Sequence, residues 1–318
     1  MLDVSKLAGR GWRHNRALTL LIGAMLAFLT VTLIGLVFDQ RTITGAPAWL
    51  KPTKFAISIA IYAATLMWLL TYVEGKGRMV RVVSWVTAVS LIIEMILIVG
   101  AVVADTTSHF NVSTPLNAVI WAAMAFFILL TWIMTLLTAW LLVAQRLSDR
   151  AFAQALRLGV VVAAVGMAVG FLMTSPTPTQ TTAAEAGGGM PVVGAHSVGV
   201  EDGGPGLFLV GWSTAGGDLR VGHFVGLHAL QVLPLLGLGL SRLGPRWLGT
   251  GPRTGLVWVL GLTYLGVVVL TTWQALRGQP LLRPDASTAV AGGAILLIAA
   301  AAGSLIVVRA RLAANLKS

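Results

Sequence analysis

Eight continuous apolar runs, each close to the length of a bilayer crossing, dominate the chain: residues 17–38, 55–72, 82–104, 117–143, 155–174, 221–241, 256–273 and 287–308. A helix rises about 1.5 Å per residue, so about 20 apolar residues cross the hydrocarbon core of a membrane. Inside that core every backbone N–H and C=O needs a partner within the protein, which leaves only helices or closed barrels. The runs do not alternate with period two, so they predict helices. Composition agrees: 57% of the residues are hydrophobic and only 10% are charged, whereas soluble domains carry about 25% charged residues. The expected fold is an all-α membrane protein with eight transmembrane helices in contact with the lipid bilayer.

A formal net charge of +11 raises the question of nucleic acid. The cations, however, sit in short clusters between the apolar runs, and no basic stripe is interleaved with exposed aromatics, so no nucleic-acid partner is expected. Sixteen of the 22 Lys and Arg fall in connections on the side of the N-terminus, among them Lys6, Arg10, Lys76, Arg146, Arg246 and Lys317. The positive-inside rule then makes both termini cytoplasmic in a multi-pass protein. The leader through Arg16 is basic and is followed by a full-length span that ends at Phe38-Asp39-Gln40 without a small-residue cleavage site, which reads as an uncleaved signal anchor. The chain has no cysteine, which removes disulfides, thiolate metal sites and cysteine nucleophiles together.

The chain also reads as a repeat. Leu50-Lys51-Pro52-Thr53-Lys54-Phe55 opens the second span, and Leu219-Arg220-Val221-Gly222-His223-Phe224 opens the sixth, at an offset of 169 residues. Four spans per repeat predicts two tandem four-helix halves in the same orientation, residues 1–150 and 151–318, related by an axis along the membrane normal. The second half carries a long loop, 175–219, on the outer side. Residues 176–189 are polar and flexible in composition and are expected to be disordered, with a folded lid from 191 onward.

The residues able to carry chemistry gather on the outer side. Four of the five histidines lie there, His109, His196, His223 and His228, together with Asp105, Glu201, Asp202, Asp218, Lys51, Lys54 and Arg220; His14 belongs to the inner leader. Polar groups in or near a span are costly and therefore raise a functional hypothesis. His228 is expected on one face with Phe224 and Gln231, near a bend at Pro234, and facing a pocket; the alternative is a structural histidine bonded across the bundle. Asp218 is placed to cap its helix. His109 reads either as a loop residue, in a turn held by Asp105 and Asn111, or as a second axial or metal ligand opposite His228 or His223. His196, Glu201 and Asp202 form a possible divalent-cation set, although no zinc or EF-hand spacing is present. Glu94 is the one acid deep in a span. A lone carboxylate there must be protonated or paired, and it can relay protons, hold a cation or bond a neighbouring helix. Lys51 with Lys54, and Arg220 with His223, stand at the positive ends of equivalent helices, as an anion or headgroup site or as cations snorkelling to the interface.

Ser108-His109-Phe110-Asn111 and the stretch from Gly217-Asp218-Leu219-Arg220 through His223-Phe224 to His228-Ala229-Leu230-Gln231 resemble a group of uncharacterised bacterial integral membrane proteins over most of the chain. That resemblance implies a bacterial plasma (inner) membrane and lends no activity. Two four-helix halves with outer histidines are also similar in architecture to haem A synthase, but the first half here lacks a histidine pair within its spans. Three readings follow. The first is an outward-facing ligand site for haem b or a divalent metal, built by His109, His223, His228 and Gln231. The second is a transporter of a small solute or ion, with Glu94 and Gln231 at depth and Lys54 and Arg220 at the mouth. The third is an accessory protein without a ligand. Neither an enzymatic activity nor a protein partner is specified by any motif.

Overall fold

The computed structural model describes residues 11–316; Lys6, Arg10 and Lys317 of the inner charge clusters lie outside the described residues. The helices are α1 (Arg16–Phe38), α2 (Leu50–Leu70), α3 (Gly77–Val103), α4 (Pro115–Val143), α5 (Arg150–Leu172), α6 (Pro178–Glu185), α7 (Leu219–Leu243), α8 (Thr250–Leu276) and α9 (Ala286–Asn315). All except α6 are long and apolar enough to cross a membrane, giving eight spans, one for each apolar run. The protein is an all-α membrane protein. Four of the long helices start at short polar side chains that accept from an otherwise orphaned N–H of the first turn, whereas α2, α3 and α8 start without a side-chain cap. Asn15 accepts from Leu18, Asp149 from Phe152, Asp218 from Arg220 and Asp285 from Thr288. Pro234 lies inside α7 and does not end it.

The chain forms two compact units, the first comprising Met1–Leu141 and Thr174–Ala195, the second Leu142–Met173 and His196–Ser318. In the first, α1 packs on α2 and α3, and α2 packs on α3. Its core joins Leu18, Leu21 and Met25 of α1 to Ala56, Ile59 and Leu66 of α2 and to Val83, Leu91 and Met95 of α3. Tyr62 and Thr135 tie α2 to α4 through a 2.9 Å hydroxyl contact. Side chains turned the other way are apolar and exposed, such as Leu26, Ile34 and Phe38 of α1. No aqueous protein presents so much hydrocarbon; here that surface meets lipid.

In the second unit α5 packs on α7 and α8, α7 on α8, and α8 on α9. The α5–α7 seam is built from small residues, so the backbones approach closely. A Cβ placed on Gly166 would stand 2.5 Å from the Cα of Gly226 and 2.6 Å from its carbonyl carbon.

The loop between α5 and α7 corrects one expectation. Within 176–189 the chain is not disordered but forms α6. Thr177 and Gln180 make a reciprocal capping box with Pro178 at the first helical position, a strong local start signal that composition alone conceals. Gln180 then clamps Gly194, donating to its carbonyl at 2.9 Å and accepting from its N–H at 3.0 Å. From 196 onward the loop belongs to the second unit, where β1 (Ser197–Val198) pairs antiparallel with β2 (Gly217–Asp218).

Candidate functional site: a buried acid and imidazole in the first unit

Glu94 lies on α3 nine residues before its end, which puts it about 13 Å down the span. Its side chain is fully buried, and neither carboxylate oxygen has a hydrogen-bond partner among the described residues. An imidazole from outside the helices lies beside it. The chain leaves α3 through Asp105, at φ 50°, and turns again at Phe110, at φ 65°, both left-handed positions that non-glycine residues rarely take. These turns fold the loop back, burying Ser108, Phe110 and Asn111. Asn111 staples it, donating to Thr106 Oγ1 at 2.8 Å and accepting from the hydroxyl of Ser113 at 2.7 Å. Residues from the α6 segment strap it in place: Val193 N–H donates to the Phe110 carbonyl at 2.8 Å, and Val112 N–H to the Pro191 carbonyl at 2.9 Å. Irregular backbone at such depth is tolerated where protein buries it.

The returned loop aims His109 at Glu94. Its Nε2 stands 3.6 Å from Glu94 Oε1, and its Nδ1 is 3.0 Å from Lys51 Nζ on the first turn of α2 and 3.0 Å from Ser108 Oγ. An ammonium has only donors, so Nδ1 accepts and the ring proton of the neutral imidazole resides on Nε2, facing the carboxylate. Phe55, Phe110 and Trp121 surround the imidazole with ring centroids 5.9, 6.1 and 5.6 Å away. This collar leaves the imidazole half-buried while Glu94 beneath it is fully buried. At the same end of the unit, Arg41 donates to Asp39 and pairs with Asp105 at 3.3 Å. The Arg41 guanidinium, then the Trp49 indole N–H, hold the Asp39 carboxyl well below the usual carboxylate range.

The remaining residues singled out from the sequence fall elsewhere. Lys54 is half-buried on α2. His223 of the second unit is half-buried, and its Nδ1 is 2.8 Å from the Gly166 carbonyl at the α5–α7 seam. His228 lies on an exposed face of α7 instead of facing a pocket, with Nδ1 2.7 Å from the Phe224 carbonyl of its own helix; Gln231 is half-buried one turn further on. Asp218, besides capping α7, pairs with Arg220 at 2.6 Å and accepts from Ser213 N–H at 2.7 Å, closing the loop onto the helix. His196 pairs with Asp202 at 2.7 Å, and Asp202 also accepts from the Ser197 amide at 2.8 Å. Burial alone would raise the Asp202 carboxyl; the His196 ring and these backbone amides outweigh it and hold the group well below the usual carboxylate range. Glu201 is exposed, and among the described residues no three His, Asp or Glu side chains converge as a metal-binding group.

Nδ1 of His109 is engaged by Lys51 and Ser108, and Glu94 Oε1 stands 3.6 Å from Nε2, where a haem iron would have to sit. The residues present therefore do not fit a haem ligated by His109 in this arrangement. What the first unit offers is a carboxyl, an imidazole and an ammonium in line, leading from mid-span to the end of the bundle where α2 begins.

With that architecture and that site, the chain is an eight-span, all-α integral membrane protein. No family model, no curated protein and no solved structure matches it.

Proposed function

We propose that this integral membrane protein is an ion carrier whose ion is the proton, loaded at Glu94 through His109. The observation that carries the reading is the fully buried Glu94 carboxyl, without a hydrogen-bond partner among the described residues, facing an imidazole nitrogen at 3.6 Å. Burying a carboxylate charge costs several kcal/mol unless it is paired and hydrogen-bonded. Such a carboxyl that only held helices together would be satisfied by a neighbour, as Tyr62 is by Thr135. An imidazole that accepts at Nδ1 and carries its proton on Nε2 is a relay. It takes a proton on the Lys51 side and gives one up on the Glu94 side, returning to its first tautomer by rotation or by the reverse exchange. A hard cation such as Mg2+ or Ca2+ fits poorly, since it needs about six or more oxygen ligands, whereas Glu94 has an imidazole beside it and an ammonium one step beyond.

The charge asymmetry of the connections supports placing the Lys51 end outside and both termini in the cytoplasm of a bacterial cell. Tandem duplication at the 169-residue offset is proposed on the same footing. The acid is then private to the first half, because its counterpart Thr263 donates to the carbonyl of Val259 in its own helix.

The test is infrared difference spectroscopy of purified protein as pH is stepped from acid to alkaline. A protonated-carboxyl band that changes with pH and disappears in Glu94→Gln is expected, with a changed profile in His109→Ala. A spectrum in which Glu94→Gln removes no pH-dependent carboxyl band would overturn the reading.

A further inference from the structure

Below Glu94, the same buried face of α3, which it shares with the core residues Val83 and Leu91, carries hydroxyls. Ser84, Thr87, Ser90 and Glu94 follow at spacings of three, three and four, so they form one stripe, and each is at most 1% exposed. The stripe runs over eleven residues, about 15 Å of helix. At its far end Ser84 Oγ accepts from Asn15 Nδ2 at 2.6 Å and donates to the Val80 carbonyl at 2.8 Å, and Asn15 caps the start of α1, at the opposite end of the unit from Lys51. Polar side chains thus run from Lys51 through His109, Glu94, Ser90, Thr87 and Ser84 to Asn15.

One atom in that run marks it as more than structural. A threonine inside a helix ordinarily donates to the carbonyl four residues back. Thr131, Thr135 and Thr138 on α4 do so, at 3.0, 3.0 and 2.8 Å. Thr87 does not: its Oγ1 is buried with no hydrogen-bond partner among the described residues, as are both oxygens of Glu94 two turns away on the same face. Buried polar atoms without protein partners are where internal water is held.

We propose that the Ser90–Thr87–Ser84 stripe is the second half of a proton path, carrying the proton between Glu94 and the Asn15 end of the unit through these hydroxyls and intervening water. This rests on the reading of Glu94 as the proton-loading group and supplies its missing exit. A hydroxyl accepts a proton on its oxygen as it releases its own to the next acceptor, so no charge stays on the stripe and no co-reactant is needed. Sequential exchange at Glu94, with His109 on one side and Ser90 on the other, moves one proton through the whole unit. The stripe offers no cage of carbonyl oxygens, so it suits protons and not hydrated metal ions.

The experiment uses full-length protein in proteoliposomes with a trapped pH dye, clamped by potassium and valinomycin, and records proton entry after an acid pulse. Wild type is expected to acidify faster than protein-free vesicles, and Glu94→Gln to abolish the excess. The double variant Thr87→Val with Ser90→Ala keeps side-chain shape while removing both hydroxyls; it is expected to lose at least tenfold of the excess flux. In detergent the same variant should still show the pH-dependent Glu94 carboxyl band, which proves its site is intact. Thr131→Val, which removes a hydroxyl already satisfied within α4, should run at the wild-type rate. Undiminished flux in the double variant overturns the path. So does wild-type flux no greater than that of protein-free vesicles while Glu94 still titrates, since the site then has no exit. Absence of a titrating Glu94 overturns the proton-loading reading itself.

Discussion

Gly166→Ala is expected to be among the most destabilising single-methyl changes available in the second unit. The added Cβ would meet only backbone: the Cα of Gly226 at 2.5 Å, its carbonyl carbon at 2.6 Å and the Leu227 nitrogen at 2.8 Å. None of these can rotate away, and ordinary contact begins near 3.4 Å, so α5 and α7 must part by about 1 Å. A gap of that size forfeits about a quarter to a half of the dispersion energy of each facing atom pair, and overpacking of this kind costs about 1–3 kcal/mol. The same shift stretches the 2.8 Å contact between His223 Nδ1 and the Gly166 carbonyl, a kind of interhelical bond worth about 0.6 kcal/mol in membranes. The gain in helix propensity on replacing Gly by Ala returns at most about 1 kcal/mol. The net loss is about 0.6–2.6 kcal/mol, or a melting temperature lower by about 1–10 °C at the usual sensitivity of domains this large. Thermal unfolding in mild detergent, followed by tryptophan fluorescence, reads this directly. Gly239→Ala on α7 is the control, since its Cβ would meet nothing within 4 Å, and it should melt at or slightly above wild type. Equal melting temperatures for the two variants would refute the account of the seam.

Other outcomes are equally open to measurement. Asp202 has its carboxyl lowered in the fold, so the stability it confers is fully present above the unfolded value of about 4 and is lost as pH falls through the folded value. Hydrogen exchange of the Ser197 amide should therefore lose protection on strong acidification in wild type, and Asp202→Asn should abolish that pH dependence; an unchanged profile would remove Asp202 from the account. Single cysteines placed at Ala184 and Ser318 test orientation with an impermeant reagent on intact cells. Only Ala184 should label, and the reverse pattern would invert the topology.

The spans were legible because each is set by a local property, about 20 apolar residues with polar ends. Asp218, too, is recognisable as a cap from its place ahead of an apolar run. The face that each helix turns inward was harder to read, and His228 shows why. Depth in the span suggested a buried imidazole, but Gly222, Gly226 and Ala229 fix the inward face of α7 by letting neighbouring backbones approach. Two residues beyond Gly226 is about 200° around the helix, so His228 points away from that seam. The small-residue spacing was present in the sequence and was the signal to use. The helix within 176–189 was missed for a different reason: low-complexity composition obscured the four residues that make its capping box.

Glu94, His109 and Lys51 were each recognisable as costly groups in costly places, but their meeting was not. His109 follows Glu94 by fifteen residues and leaves the helix before it returns, so helical periodicity says nothing about the pair. What brings them together is a loop with two left-handed residues, held by the Asn111 side chain and by backbone bonds to residues 191–193, about eighty positions later. That strap gives the long loop a role in the site: it fixes the Phe110 carbonyl and so the direction of the imidazole one residue earlier. Loop and acid also constrain each other. A left-handed Phe110 is a strained conformation that persists only where its surroundings enforce it, and the surroundings here are the aromatic collar and the strap. The acid, in turn, lies about 13 Å down α3 from the end where that loop begins. A site of this kind depends on one long-range closure, so disturbing residues 191–193 should reach Glu94 as surely as changing His109 would.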